Sequence, residues 1–285
     1  MAHTDLCLLN RLLECIDDDR NTIYLHIDKK ADFDLSNIYA PQNAKCLFIP
    51  RRRVSWGGDS MISVEMDLLE AAFAEGFDYY HLLSGQDLPI KSQSYIHNYF
   101  DSTSNNYNYI EICNEANISE KISHRLGRYH FLQDSIGRNS GKRFRLLRII
   151  ERKSLSVQKR LRINRITKIP FRIYKGSEWF SINHEMVKYV ISQKKAIKRW
   201  FMKGLCADEL FIQTVAMTSS IKDSIVSSSL REIDWERGGP YTFRKEDYPM
   251  LIKSDDLFAR KFSTDIDAEI IDMICEKVLM DKSAI

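Results

Sequence analysis

Residues able to do chemistry concentrate in a few short stretches. The densest is Tyr79-Tyr80-His81-Leu82-Leu83-Ser84-Gly85-Gln86-Asp87-Leu88-Pro89-Ile90-Lys91, an apolar, aromatic-rich run that breaks into small and polar residues and ends at a proline. A strand cannot continue through that break, so the pattern predicts a strand over 79–84 and then a turn. In open α/β folds ligands bind outside the carboxyl ends of such strands. There Gly85 would admit close backbone approach and Asp87 would supply a polar anchor; a plain strand and turn explains the pattern equally. Asp208-Glu209 opens an apolar run, in a predicted first helical turn where the dipole favours ionised carboxylates by about 0.3–1 kcal/mol and where acids are commonly enriched. Arg260-Lys261, before the last helix, offers fixed cations or simply an exposed charged pair. Two Asp-x-Asp spacings, Asp32-Phe33-Asp34 and Asp265-Ile266-Asp267, fit a divalent metal. The first follows a lysine pair on a predicted surface loop, and the second opens a helix where carboxylates are favoured anyway.

The elements that would position these groups alternate between helix and strand, the signature of βαβ architecture. Leu8, Leu9, Leu12 and Leu13 predict a helix over 4–17; strands follow at 23–27 and 46–49. Ile62, Met66, Leu69 and Phe73 line one side of a helix over 60–75, ended by Gly76. Further strands are expected at 107–112 and 179–182, and helices at 185–192 and 208–217. The last helix, over 265–280, carries Ile266, Ile270, Met273 and Ile274 on one side. The chain opens into a helix where a βα unit would place a strand first, so either that sheet edge is supplied differently or the start lies a strand too late.

With 285 residues, 44% of them hydrophobic and 28% charged, the chain can bury a real core and keep a soluble surface. No stretch approaches the roughly 18 uninterrupted apolar residues of a membrane span, and the first residues lack the regions of a signal peptide. Six scattered cysteines (Cys7, Cys15, Cys46, Cys113, Cys206, Cys275) offer no zinc spacing and read as reduced thiols of a cytoplasmic, bacterial protein. The net charge of +3 hides an asymmetry. Residues 138–175 hold fourteen Lys/Arg and one acid, Glu151, which leaves the rest of the chain at −10. Such a segment attracts anionic partners, and anionic lipid contributes about 1 kcal/mol per nearby Lys or Arg. A solvated helix face is the plain alternative. Nucleic acid comes last, because only Phe144, Phe171 and Tyr174 interleave the basic residues.

Five segments in order resemble one glycosyltransferase family, the core-2/I-branching N-acetylglucosaminyltransferases with the peptide O-xylosyltransferases. They are Tyr24-Leu25-His26-Ile27-Asp28-Lys29-Lys30; Leu83 to Lys91; Lys175-Gly176-Ser177-Glu178-Trp179-Phe180; Asp208-Glu209-Leu210-Phe211; and Leu257-Phe258-Ala259-Arg260-Lys261-Phe262. The resemblance implies a single GT-A domain over 1–285, Rossmann-like, with a mostly parallel central sheet, and the basic helical segment near 138–175 as an insertion. It implies inverting transfer from a UDP-sugar without a metal or other cofactor. Glu209 matches the catalytic base and Lys261 the diphosphate-binding lysine. Arg237 stands nearest the family's second cation, with Arg244 as fallback. Asp28 matches a nucleotide-contacting aspartate and His3 a histidine beside the nucleotide; Trp56, Ser60 and the residues Ser84, Gly85, Gln86 and Asp87 flank the donor. Trp179 could stack on a sugar ring or sit in the core. Asp208 could cap its helix, as could Ser60; a helix start at Ser60 would equally suit a phosphate.

The leading expectation is thus transfer of N-acetylglucosamine to a glycan or lipid-linked glycan acceptor in bacterial surface-polysaccharide synthesis, with the basic segment docked on the inner face of the cell membrane. Xylose as the donor sugar is an alternative, and so is a non-catalytic membrane- or polyanion-binding protein on a decayed transferase scaffold.

Overall fold

The computed structural model describes residues 1–102, 106–113 and 118–281, an α/β protein with three sheets and eleven α-helices among them. They fall into two compact units.

The first unit comprises residues 1–51, 81–106 and 230–285. Its opening helix, Leu6–Cys15, buries Leu8, Leu9, Leu12 and Leu13, the two-adjacent-then-four-on spacing of an amphipathic helix. Asp5 caps it by accepting from the Leu8 amide. The strands Thr22–Leu25 and Lys45–Phe48 run parallel, Thr22 opposite Lys45. The first two residues lie where a leading strand is expected. Ala2 forms a parallel bridge to Ile27, while the Met1 ammonium donates to the Leu83 carbonyl and the Gly85 amide donates to the Met1 carbonyl, both at 2.8 Å. A three-stranded sheet places Phe258–Arg260 centrally, antiparallel to Asp87–Pro89 and parallel to Arg231–Ile233. Leu88, Phe243, Phe262, Ile270 and Ile274 pack beneath it with Leu8 and Leu12.

Two sequence expectations need correction here. The strand expected over 79–84 stops at His81, and Asp87–Pro89 is itself a strand rather than the tail of a turn. Pro89 is tolerated because that strand lies at the sheet's edge, where a missing amide costs no ladder bond. The last helix is Ala268–Met280 rather than 265–280: Asp267 caps it, accepting from the Ile270 amide at 3.1 Å. Ile266 therefore lies before the helix and is exposed, and the inward stripe is Ile270, Ile271, Ile274, Cys275 and Val278.

The second unit comprises residues 52–80 and 107–229. Its sheet orders Tyr79–His81, Phe180–Asn183, Asn108–Ile110 and Ile225–Val226; the third strand is antiparallel to the second and parallel to the fourth. The helix Asp59–Phe73 buries Ile62, Met66 and Leu69 as expected, and Phe73 stacks on His184 at 4.7 Å. Asp208–Met217 coincides with the expected span and is buried almost all round. The basic segment is largely one helix, Lys142–Arg160. Among the described residues no helix is long and apolar enough to cross a membrane.

Candidate functional site

In the second unit the chemistry gathers at the start of helix Asp208–Met217. Glu209 is half-buried, and its Oε2 accepts from Arg125 Nη1 at 2.6 Å with Lys175 Nζ at 3.6 Å. Its Oε1 has no hydrogen-bond partner among the described residues. The Glu209 carbonyl accepts from the Gly176 amide, which places the Lys175–Phe180 segment beside the helix. Two cations thus orient one oxygen and leave the other presented, the arrangement a proton-accepting carboxylate needs. Arg125 lies outside every motif and could not be found from the sequence. Lys175 stood in a motif with no role attached.

Behind Glu209 the interior is acidic. Asp208 is buried, its Oδ1 unpartnered among the described residues. Burial, then the neighbouring Glu209 charge, pushes its carboxyl up to about 7, while Arg125 pulls the other way. It is not the helix cap: Ala207 holds that position, without a side-chain bond. Glu65, on helix Asp59–Phe73, is fully buried with neither oxygen hydrogen-bonded among the described residues. Burial and then the charges of Glu178 and Asp208 raise its carboxyl well above the ordinary range. A carboxyl in such surroundings keeps its proton.

The loop Trp56-Gly57-Gly58 abuts this helix start, since the Cys206 amide donates to the Gly57 carbonyl at 2.9 Å. Gly57 has φ +68°, and a Cβ on Gly58 would fall 2.3 Å from Asp134 Oδ1. The same Asp134 oxygen accepts from the Ser60 amide at 3.1 Å and the Ser60 hydroxyl at 2.6 Å. Ser60 is therefore neither the cap, which is Gly58, nor an open anion seat. Trp56 is 43% exposed with Arg138 over its ring at 4.2 Å, whereas Trp179 is 4% exposed, a core residue without a face for a sugar.

In the first unit, Asp28 is buried at the end of its strand, its Oδ1 accepting from the Lys30 amide at 2.8 Å and Lys30 Nζ standing 3.6 Å from Oδ2. His3 keeps much of its surface exposed, yet the groups packed around its ring desolvate it and so lower its pKa, against the opposing pull of Asp28. The Ser84–Asp87 turn is closed on itself. Asp87 accepts from the Ser84 amide at 2.7 Å and hydroxyl at 2.8 Å, with Arg260 Nη1 3.6 Å away, and Gln86 accepts through its carbonyl from the Phe262 amide. Gly85 is needed for the chain's own close approach: a Cβ there would lie 2.9 Å from that of Ala2.

The two cation candidates separate clearly. Arg237 is held by Asp234 and by Asp247, the latter at 2.7 Å, and lies over Tyr241; those carboxylates raise its pKa. Arg244 is exposed and its guanidinium has no partner among the described residues. Lys261 is half-buried, and its ammonium is likewise unpaired there. The Phe243 amide donates to the Lys261 carbonyl at 2.9 Å and the Lys261 amide to the Tyr241 carbonyl at 3.4 Å. That pairing brings Arg244 to the same strand end as Lys261. The Asp-x-Asp spacings serve as caps: Asp34 accepts from the Ser36 amide, and Asp267 from the Ile270 and Lys245 amides.

A family model described as Core-2/I-Branching enzyme matches residues 1–257. The chain belongs to that family. Among curated proteins, this branching-family chain is 23% identical over 297 residues to xylosyltransferase 2 of Canis lupus familiaris, covering 93% of the chain and 31% of that protein. It is 24% identical to xylosyltransferase 1 of the same species (92% and 28%) and 21% identical to the xylosyltransferase of Ciona intestinalis (96% and 32%). The branching-family chain therefore spans about a third of the length of these relatives.

Proposed function

We propose that this chain is an inverting, metal-independent glycosyltransferase of GT-A type that moves a sugar from a UDP-sugar to a glycan acceptor in bacterial surface-polysaccharide synthesis. The observation that carries the reading is Glu209, with Oε2 held by Arg125 and Lys175 and Oε1 presented. Glu209 takes the proton of the acceptor hydroxyl as that oxygen attacks the anomeric carbon. The bond to the diphosphate breaks, and the charge left on UDP is met by Lys261 and Arg244. Fixed cations of this kind stabilise charge that develops in the transition state. Asp28 holds the uridine through polar groups, and Trp56 offers an apolar ring face to a sugar.

N-acetylglucosamine is the donor sugar of the first reading. Xylose is the second, favoured by the names of the similar curated proteins. Calorimetric titration with UDP, in EDTA and then with manganese, tests the common core: the expected result is binding that EDTA leaves unchanged. Binding that requires manganese overturns the cation roles, and no binding in either buffer supports the decayed scaffold. Hydrolysis of UDP-N-acetylglucosamine against UDP-xylose then decides the sugar.

A further inference from the structure

The helix Lys142–Arg160 carries large apolar residues on its outward side as well as its inward one, where Phe144, Leu147 and Leu155 are half-buried. The residues it buries fully are polar. Gln158 accepts from the Tyr129 amide at 2.8 Å and donates to the Tyr129 carbonyl at 2.9 Å, and Glu151, buried beside His130 at 3.5 Å, accepts from the Leu132 amide. Four other large apolar residues face outward: Leu146 is 58% exposed, Ile150 47%, Val157 56% and Leu161, just past the helix, 67%. At 3.6 residues per turn these four fall within about 60° of one another, a continuous stripe rather than scattered exposure. Ile149 is exposed alongside. The flank is basic: Lys142, Arg145, Arg152, Lys153, Lys159 and Arg160 are all exposed, and the helix's one acid, Glu151, points inward.

Exposed apolar stripes of this kind mark interaction surfaces, and the flanking charge selects the occupant. A second copy of this chain would bring two strongly positive faces together. A nucleic acid would satisfy the charge but leave the aliphatic stripe in water, and Phe144 is half-buried rather than presented for stacking. An anionic bilayer surface accepts both. Lipid phosphates meet the Lys/Arg row, while Leu146, Ile150, Val157 and Leu161 enter the headgroup–acyl boundary, with the long basic side chains reaching back toward the phosphates. We propose that Lys142–Arg160 is an interfacial helix that docks the protein on anionic membrane lipid by inserting this stripe. Salt alone would therefore weaken, without abolishing, a contact that is part apolar. The docking does not depend on which sugar is transferred or on Glu209.

The test is flotation of the full chain with vesicles of phosphatidylcholine alone and of phosphatidylcholine with phosphatidylglycerol. Wild type is expected to float with the anionic vesicles only. A Leu146→Gln/Ile150→Gln/Val157→Gln variant should bind them about tenfold more weakly or worse, with an unchanged far-ultraviolet spectrum and melting temperature, because all three side chains are exposed. Independently of that variant, Leu146→Trp should add an emission component that shifts to the blue with anionic vesicles and is quenched by brominated acyl chains. Failure of wild type to float overturns the proposal. So does full binding by the triple glutamine variant when Arg145→Gln/Arg152→Gln/Lys153→Gln abolishes it, which would mean adsorption by charge alone. A wild-type dimer that the glutamine variant converts to monomer would assign the stripe to contact between copies, and also overturns it.

Discussion

Among residues that can act on a sugar nucleotide, Glu209 is distinguished by its neighbours rather than by its type. A first-turn acid is ordinary, but one with two cations on a single oxygen is oriented. Glu209→Gln keeps the shape and removes the basic oxygen, so UDP binding should persist while transfer falls by at least about a hundredfold, the usual reach of general-base catalysis. Near-normal transfer by that variant takes Glu209 out of the role. The proposed donor cations make a contrasting set. Lys261→Ala and Arg244→Ala each remove a charge unpaired among the described residues, and UDP affinity measured by calorimetry should drop about tenfold or more, as for a hydrogen bond to a charged group. Arg237→Ala removes a charge already met by Asp234 and Asp247, so affinity should change by about threefold or less. Equal losses from Arg237 and Arg244 would reject the ranking of the two arginines.

Two of the separate sequence motifs become one object at the level of elements. The segments 83–91 and 257–262 are neighbouring antiparallel strands, with Asp87 opposite Arg260, Leu88 opposite Ala259 and Pro89 opposite Phe258. The Ser84–Asp87 turn, read from sequence as a ligand-facing corner, directs much of its hydrogen bonding to its own closure and to Met1 and Phe262, with Arg260 beside Asp87. The glycine within it answers to Ala2. Gly85→Ala puts a methyl group 2.9 Å from the Ala2 Cβ and should destabilise by about 1–3 kcal/mol in denaturant melts. Ala2→Gly in the same chain should restore part of that loss; an undiminished loss would mean that Ala2 is not the group Gly85 accommodates. What the sequence made legible was periodic. The apolar spacing of Leu8 to Leu13 and the acid-led apolar run from Asp208 located their helices. What stayed hidden depends on contacts distant in sequence. The Asp87–Pro89 strand exists only because Phe258–Arg260 lies beside it, Arg125 reaches Glu209 across 84 positions, and the polar underside of Lys142–Arg160 reads as surface until Tyr129 and Leu132 meet it.

For the molecule as a whole, the two buried carboxyls behind Glu209 tie stability to pH in a direction opposite to the common one. Most carboxylates are favoured ionised on folding and lose their contribution in acid. Asp208 titrates near 7 in the folded chain against 3.8 for an unperturbed aspartate, and Glu65 is raised as well. Between those two values the folded state holds a proton that the unfolded state has released, so stability falls as pH rises. The contribution is whole below about pH 4, declines through the window to 7, and is gone above it. A shift of this size corresponds to a few kcal/mol at most, since each unit is about 1.4 kcal/mol. Asp208→Asn keeps the neutral form at every pH and should flatten the profile, melting higher than wild type at pH 8, less so at pH 5, and close to it only near pH 4 and below. Parallel wild-type and variant profiles would mean that Asp208 is ionised in the folded chain throughout. Because Gln substitutes for a protonated Glu65 in the same way, Glu65→Gln should reproduce the effect, and the double variant should show less than the sum, the Asp208 charge being one of those that raise Glu65. The acidic interior thus costs stability at neutral pH, in the same helix start that presents Glu209, as expected where burial of acids serves a site rather than the core.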